Sequence, residues 1–257
     1  MSSSETEQLS SSAEETTVQD APNELKPNDS KACSRRSLHK RGITVAVVAC
    51  VLVLAGIGLL VWHEQPSFCS AICHTPMDAY GKTYLDGNVD AYGNELTPEE
   101  ANSMAGYAHS KYMGGITCMG CHVPVLEEQV TEGVKWVMGD YYIAGYNQDG
   151  DAVLEPRSLA DLTEARKVPG EEFCLNDKCH VTTPNREALF EKTKYLESEY
   201  NPHSDRHGQI ACGTCHKGHT QSINYCTECH ESAPVPEGWL TMAQAQDLGI
   251  IPEVNVE

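Results

Sequence analysis

The chain has 257 residues, and its 37 acidic and 18 basic side chains give a formal net charge of −19. This charge excludes a nucleic-acid partner, because proteins bind phosphate backbones through clustered Lys and Arg. Phe and Trp number only three each, too few for an ordinary side-chain core, so something other than side chains must fill the interior.

The N-terminal segment is polar and is followed by one long apolar stretch. Residues 1–30 are mostly Ser, Thr, Glu and Asp, which cannot bury enough apolar surface to offset the entropy of ordering. The twenty uncharged residues from Ile43 to Trp62 would rise about 30 Å as a helix, which matches the hydrocarbon core of a bilayer. We therefore predict a disordered tail with a basic flank over 1–41, a transmembrane anchor over 42–63 and a further domain over 64–257.

Basic residues flank the apolar stretch on one side only. Five of them lie between Lys31 and Arg41, and the next is Lys82. The positive-inside rule then predicts a cytoplasmic N-terminus and an extracytoplasmic domain at the cell membrane. A cleaved signal peptide is the alternative. It is disfavoured because the apolar run is too long, its leader exceeds forty residues and no Ala-x-Ala-like site follows.

Local signals predict a mainly α fold with extensive irregular loops. The segment 97–100 combines an N-cap threonine, a proline and two acids, which predicts a helix running to about Tyr112. Further helices are expected near Ser158 and near Pro184. No run of alternating β-branched residues persists, so strands should contribute little. Residues 232–257 are expected to form a tail laid over the domain.

Ten of the twelve cysteines fall into five clusters that each end in Cys-His. In three clusters the two cysteines are separated by two residues. In the first cluster they are separated by three residues, and in the third cluster by four. Covalent haem attachment demands this form, since two thiols make thioether bonds to the haem and the adjacent His reaches the iron. The clusters are Cys69/Cys73/His74, Cys118/Cys121/His122, Cys174/Cys179/His180, Cys212/Cys215/His216 and Cys226/Cys229/His230.

Zinc sites and disulfides are the alternatives for paired cysteines. Neither requires a His directly after the second Cys in every cluster. The repeated ending therefore favours five covalently bound haem c groups, which would themselves form the core of the domain. Cys33 and Cys50 have no His at motif spacing and are expected to be unused thiols.

Each haem iron needs a second axial ligand or keeps an open position. Six histidines lie outside the motifs. His39 is one of them, but it precedes the predicted span and so lies on the side of the membrane opposite to the haem motifs. His219 follows His216 too closely to serve the same iron comfortably, so we expect it to serve another haem. His63, at the membrane interface, is expected to be structural. The candidate second ligands are His109, His203, His207 and His219.

The segment QPSFCSAICHTPM after a single span, followed by ITCMGCHVP, resembles the NapC/NirT family of membrane-anchored multihaem cytochromes c. That family includes the small subunit of cytochrome c nitrite reductase. The likeness covers residues 43–140 well and the remainder only through its haem motifs. It implies a protein that oxidises membrane quinol and passes electrons to an extracytoplasmic reductase. Family members usually hold four haems, so five is a departure from the pattern.

The resemblance also implies roles for particular residues. In the small-subunit branch, a Met just after the first motif ligates the first haem in place of the motif His. Met77 is the candidate here, shifted by one residue, and His74 is the alternative. The family uses a Lys and an acid after the second motif at its quinol site. Lys135 and Asp140 lie nearby but out of register.

Quinol oxidation releases protons as well as electrons, so a quinol site needs a base. Asp78, Asp140 and Glu64 are the candidates. Ligation mainly by histidine gives low haem potentials, which suits a low-potential quinol such as menaquinol. The competing hypothesis is a multihaem reductase that itself reduces a small oxidised substrate at an iron with an open axial position. The terminal reductase stays open between a nitrite-reductase-like and a flavin-dependent enzyme.

Overall fold

The structure is a computed structural model whose described part covers most of the chain. It describes residues 30–72 and 74–250, with the backbone alone at residues 30–39, 74, 75 and 165. The predicted tail over residues 1–29, Cys73 and the last seven residues of the chain lie outside the described residues.

The apolar stretch forms one helix. α1 runs from Ser30 to His63, and its part from Lys40 to His63 is long and apolar enough to cross a membrane. No residue of that part is buried, as expected of a helix surrounded by lipid. α1 begins earlier than the predicted anchor, so the backbone of the basic flank is helical too. The chain divides into two units inside α1, residues 1–54 and 55–257.

Short helices joined by irregular segments make up most of the second unit, so the fold is mainly helical, as predicted. Two 3-10 helices cover Glu164–Arg166 and Tyr225–Glu228. The α-helices after α1 are α2 (Pro66–Ile72), α3 (His74–Leu85), α4 (Pro98–Ser103), α5 (Ala105–Tyr112), α6 (Cys118–Cys121), α7 (Leu126–Met138), α8 (Leu159–Thr163), α9 (Gly170–Cys174), α10 (Arg186–Lys192), α11 (Cys212–Cys215) and α12 (Met242–Asp247).

The helix predicted after Thr97 is two helices. Its start is confirmed, because Thr97 Oγ1 accepts from the Glu100 amide at 3.3 Å and the Glu100 carboxylate accepts from the Thr97 amide at 2.8 Å. The prediction that this helix continues without a break to about Tyr112 was wrong. Met104 is fully buried with extended backbone, ψ 118°, and the Ala105 amide donates to the carbonyl of Lys217 at 2.7 Å. A contact with a distant segment therefore replaces a helical hydrogen bond.

The other two predicted helices are present but short. Ser158 caps α8 by accepting a hydrogen bond from the Asp161 amide at 2.9 Å. Asn185, directly after Pro184, caps α10 by accepting from the Ala188 amide at 2.9 Å. These caps satisfy amides that the first turn of a helix leaves unpaired.

Strands contribute little to the described chain, as expected. β1 (Ile143–Tyr146) pairs antiparallel with β2 (Ala152–Leu154). β3 (Ile223–Asn224) pairs parallel with β4 (Leu240–Thr241). Each sheet has two strands, so neither supplies a broad surface on which a core could form.

A small side-chain core lies late in the chain. Tyr92 and Tyr225 pack against a cluster of buried apolar side chains. The segment expected to be a tail over the domain supplies most of that cluster, up to the end of the described residues. The wider prediction, that haem fills the rest of the interior, stays a prediction. The cluster consists of Ile223, Leu240, Met242, Ala245 and Ile250.

The segment 217–222 connects the early and late parts of the second unit. The amide of Ala91 donates to the carbonyl of His219 at 2.9 Å, and the amide of Gly106 donates to the carbonyl of Gly218 at 3.0 Å. A Cβ at Gly106 would lie 2.7 Å from that same Gly218 oxygen, which is closer than atoms pack. Glycine at 106 therefore permits the approach that brings α5 against this segment.

Candidate haem-binding site

The three motifs with two intervening residues share one backbone turn. In each, the His amide donates to the carbonyl of the first Cys, over 2.7 Å in 118–122, 2.9 Å in 212–216 and 2.9 Å in 226–230. Two of these turns are the helices α6 and α11, and the other lies in a 3-10 helix. The turn keeps both cysteines and the His of a motif within one helical turn of each other, as attachment to one haem requires.

The motif with four intervening residues reaches the same turn by another route. α9 ends at Cys174, and the amide of His180 donates to the carbonyl of Asn176 at 2.9 Å. The side-chain oxygen of Asn176 accepts from the amides of Lys178 and Cys179, both at 3.0 Å. Asn176 thus takes the backbone position that the first Cys has in the shorter motifs. The turn of this motif therefore begins at Asn176, two residues after its first cysteine.

The first motif follows the apolar helix directly. α2 contains Cys69 and α3 begins at His74, whereas Cys73 and the His74 side chain lie outside the described residues. Met77, in the first turn of α3, is half-buried. Both proposed axial ligands of the first haem, His74 and Met77, thus lie at the start of α3. An open, mostly apolar depression beside α2 is lined by Gln65, Pro66, Ser67, Ser70, Ala71 and Leu85.

The second cysteines of three motifs, Cys121, Cys179 and Cys229, are exposed, whereas the first cysteine of each of these motifs is half-buried. Each of the three lies at the end of its turn, directly before the motif histidine. Cys229 follows the 3-10 helix that ends at Glu228, and its amide donates to the carbonyl of Cys226 at 3.3 Å. Thioether attachment at these positions therefore stays a prediction, to which the exposed thiols are sterically open.

The motif cysteines that the structure describes are free thiols, which gives the disulfide alternative no support. The zinc alternative gains none either, since no three His, Cys, Asp or Glu side chains in the described part of the chain converge as metal ligands. Cys174 and Cys212, from the third and fourth motifs, hydrogen-bond to each other, and this contact lowers the pKa of the Cys212 thiol to about 7. These two motifs are therefore neighbours in space.

Three motif histidines lie beside histidines from elsewhere in the chain. Metal–imidazole bonds are about 2 Å long and a ring nitrogen lies about 1.1 Å from its ring centre, so imidazoles on opposite sides of one metal have centres about 6 Å apart. All three observed pairs have this separation. Ring centres are 6.2 Å apart for His122 and His219, 6.3 Å for His109 and His180, and 6.2 Å for His207 and His230.

The hydrogen bonds around His219 define its tautomer. Thr83 Oγ1 lies 2.7 Å from His219 Nδ1 and 2.8 Å from the carbonyl oxygen of Tyr80. Because a carbonyl only accepts, the single hydroxyl hydrogen goes to Tyr80, and His219 Nδ1 is the donor to Thr83. The hydrogen on Nδ1 leaves the lone pair of Nε2 free to bind a metal.

His109 and His203 show the same arrangement. His109 Nδ1 lies 2.6 Å from the carbonyl oxygen of Ala105, which only accepts. His203 Nδ1 lies 3.3 Å from Thr193 Oγ1, whose hydrogen goes to the carbonyl of Leu189 at 2.9 Å. Metal-binding histidines typically hold their other ring N–H in this way. The sequence identified the histidines but carries no signal for these acceptors, which adopt their roles only through folding.

Desolvation keeps several of these rings neutral near pH 7. It lowers the pKa of His219 to about 4, with a smaller contribution from His122. The pKa of His216 also falls to about 4, first through desolvation and then through neighbouring histidines, of which His203 has the largest effect. Part of His216 is exposed, but enough protein surrounds the ring to disfavour its charge. Desolvation likewise lowers the pKa of His122 and of His203. A neutral imidazole is the form that binds iron.

The candidate quinol-site residues lie on separate elements. Lys135 is in the last turn of α7, and the amide of Asp140 donates to its carbonyl at 2.8 Å. Both side chains are exposed. Asp78 is half-buried in α3, while Glu64 is exposed beside His63, with 3.6 Å between Oε1 and Nδ1. Lys135 and Asp140 are thus joined by a local backbone hydrogen bond at the end of α7, whereas Asp78 and Glu64 lie elsewhere in the chain.

The described residues fit covalently bound haem c. A haem of this type needs two thiols and an adjacent imidazole, and a six-coordinate iron takes a second ligand as well. The shared turn supplies the thiols and the imidazole. The ring separations place a second imidazole at a suitable distance in three pairs. In two of these pairs, the hydrogen bonds of His219 and His109 also leave Nε2 free for a metal.

Comparison with known proteins agrees with this chemistry. The family model for cytochrome c3 matches residues 160–231, which contain the last three motifs. The cytochrome c-type protein Cgr1 of Eggerthella lenta is 50% identical over 214 residues, which are 82% of this chain and 91% of that protein. The probable fumarate reductase Ifc3 of Shewanella frigidimarina is 42% identical over 40 residues, which are 15% of this chain and 7% of that protein. No solved structure matches.

The likeness to the Eggerthella lenta protein extends over most of both chains, whereas the likeness to the Shewanella protein is local. The family-model match contains the last three motifs, and with them the motif histidines His180 and His230 of two ring pairs. The chain therefore belongs to the family of multihaem c-type cytochromes that includes the Eggerthella lenta protein, and its general function is electron transfer.

Proposed function

We propose that this protein is a membrane-anchored pentahaem c-type cytochrome that takes electrons from membrane quinol, with menaquinol as the favoured donor, and passes them to an extracytoplasmic reductase. One observation carries the proposal. The helix that is apolar enough to span a membrane ends at His63, and Cys69 of the first motif lies six residues later, in α2. A one-electron haem centre attached there lies close in sequence to the membrane.

The proposed orientation places the N-terminus in the cytoplasm and the haem domain outside the cell membrane. The basic residues before the apolar helix and their absence directly after it support this orientation. It also agrees with the chemistry of the donor, because a quinol dissolved in the bilayer reaches the same interface. The resemblance to the NapC/NirT family supports the same direction of electron flow.

The quinol site needs side chains that accept protons and orient the ring. We propose Lys135 and Asp140 for these roles, with Asp78 as a further base. The exposed ends of Lys135 and Asp140 leave both accessible to a ligand. Their backbone hydrogen bond fixes the two residues relative to each other at the end of α7.

The partner is proposed to be a terminal reductase, either nitrite-reductase-like or flavin-dependent. The excess of acidic over basic residues favours a partner with a basic docking surface, because complementary charge raises association rates.

Removal of residues 1–62 tests the proposal. We expect the shortened protein to be soluble, to keep its haem and to be reducible by dithionite, because the removed part contains no motif. In liposomes containing a menaquinol analogue, the full chain should be reduced and the shortened protein should not. Haem absorbance measures both reactions, and intact mass verifies the haem content. Equal reduction of the two proteins would exclude the membrane-quinol assignment.

Substitutions in the full chain separate the quinol site from the anchor. Lys135→Gln and Asp140→Asn should slow reduction by the quinol analogue while leaving dithionite reduction unchanged. Lys192→Gln is the matched control, since Lys192 is also exposed in the last turn of a helix. If all three variants are reduced at the rate of the unmodified chain, Lys135 and Asp140 have no role at the site.

A further inference from the structure

We infer that three haem irons are each ligated by one motif histidine and one histidine from a distant segment, as the pairs His122–His219, His180–His109 and His230–His207. The inference rests on the proposed attachment of haem at these motifs. It does not depend on the quinol or on the reductase. It assigns to each of three predicted second ligands the motif that it serves.

The ring separations are the first support. Ordinary aromatic contacts have ring centres about 4.5 to 7 Å apart, so one pair near 6 Å could be simple packing. Here three pairs lie at 6.2 or 6.3 Å, and each joins a motif histidine to a histidine outside the motifs. Their interplanar angles are 66°, 28° and 48°. Such variation is compatible with shared irons, because each ring can rotate about its own metal–nitrogen bond.

The tautomers are the second support. His219 and His109 both donate from Nδ1, to the hydroxyl of Thr83 and to the carbonyl of Ala105. In each ring Nε2 is then the nitrogen with a free lone pair. The protein itself supplies both acceptors, so the fold determines which ring nitrogen of each histidine is free.

The third support is that sequence distance does not explain the pairs. His219 lies three residues after His216 of the fourth motif but beside His122 of the second. The backbone hydrogen bonds from Ala91 and Gly106 to the carbonyls of His219 and Gly218 hold the segment there. The fold therefore places His219 beside the second motif, and not beside the fourth motif, which is nearest to it in sequence.

The same holds for the other two pairs. His109 precedes the second motif but lies beside His180 of the third. His207 precedes the fourth motif but lies beside His230 of the fifth. In each pair, at least one other motif therefore lies between the two histidines in the sequence.

Methionine substitutions in the full chain test whether two histidines share an iron. His219→Met alone should convert one haem from bis-histidine to another ligation class, which near-infrared magnetic circular dichroism detects and quantifies. His122→Met/His219→Met should still change one haem, because both substitutions act on the same iron. The control His219→Met/His230→Met should change two haems, since these residues belong to different pairs. The other two pairs are tested by the corresponding double variants.

The count decides the inference in each case. Two changed haems in His122→Met/His219→Met would overturn the shared iron. Intact mass accompanies each measurement, in case His122→Met prevents attachment at its motif. A four-haem double variant whose remaining haems are all spectroscopically unchanged supports the pair, because His219 then has no iron to ligate. One changed haem among those four would overturn it. None of these readouts uses quinol or a reductase, so failure of the proposed electron donor would leave them intact.

Discussion

Thr83 shows how one side chain prepares another for metal binding. It is 1% exposed, and its hydroxyl gives its hydrogen to the carbonyl of Tyr80 while accepting one from His219. This arrangement orients the His219 ring and makes its Nε2 a stronger electron donor. We regard Thr83 as a positioning residue that acts on an iron only through His219.

Thr83→Val should raise the reduction potential of one haem, because an imidazole without an acceptor at Nδ1 donates less charge and stabilises the ferric state less. An effect of about 1 kcal/mol, the size of one hydrogen bond, corresponds to about 40 mV for a one-electron couple. Spectroelectrochemical titration of the full chain measures the shift, and Thr83→Ser should reverse most of it. The haem that shifts should be the one that His219→Met changes.

Thr163→Val is the matched control for this experiment. Thr163 is also 1% exposed, and its hydroxyl donates to the carbonyls of Leu159 and Ala160 in its own helix. Its loss should leave every potential unchanged. A shift in the control as large as that of Thr83→Val would mean that the potentials respond to general loosening of the fold.

The contact between α5 and the segment 217–219 sets the positions of two histidines at once. α5 contains His109, and the segment ends in His219. The Ala105 and Gly106 amides donate to carbonyls of that segment instead of continuing the helix from α4. The break between α4 and α5 is thus the structural device that brings these elements together.

Gly106→Ala should destabilise this contact. The added Cβ would lie 2.7 Å from the Gly218 carbonyl oxygen, so the two backbones must separate, at a cost of roughly 1 to 3 kcal/mol. Denaturant unfolding followed by visible circular dichroism should show a lower midpoint. Gly133→Ala in α7 is the control. Nothing lies within 4 Å of its added Cβ, so better helix propensity should stabilise the chain by up to about 1 kcal/mol. Equal effects of the two changes would contradict the close approach.

The sequence predicted the local parts of these elements and missed the tertiary ones. The cap at Thr97 depends on residues three positions apart, so its pattern is visible in the chain. The break at Met104 depends on a carbonyl of Lys217, which no local pattern encodes. In the same way, Cys-His spacing predicts where haem attaches, whereas the histidine beside each motif follows from contacts between distant segments.

At the scale of the whole molecule, the scarcity of large apolar side chains agrees with a core that is not made of side chains alone. The one cluster of buried apolar residues in the described part is small. The motifs, by contrast, extend from Cys69 to His230 and so cover most of the second unit. Five haems bound along this length would supply the missing apolar volume.

The intact mass of the full chain should therefore exceed that of the polypeptide by five haems. Cys69→Ala/Cys73→Ala should lower the number to four, and Cys174→Ala/Cys179→Ala should do the same. These pairs belong to the two motifs with longer spacing. Cys50→Ala, outside every motif, is the control and should leave the mass at five haems. A mass of three haems in the unmodified chain would show that the two longer motifs serve another purpose.

The hydrogen bonds from Ala91, Ala105 and Gly106 to residues 217–219 also constrain the order in which the protein can be built. Synthesis delivers the second motif long before the segment that contains His219, the histidine beside His122, has been made. These contacts therefore cannot form until residues 217–219 have been made. A premature stop after the third motif would therefore remove the histidine beside His122 as well as the last two motifs.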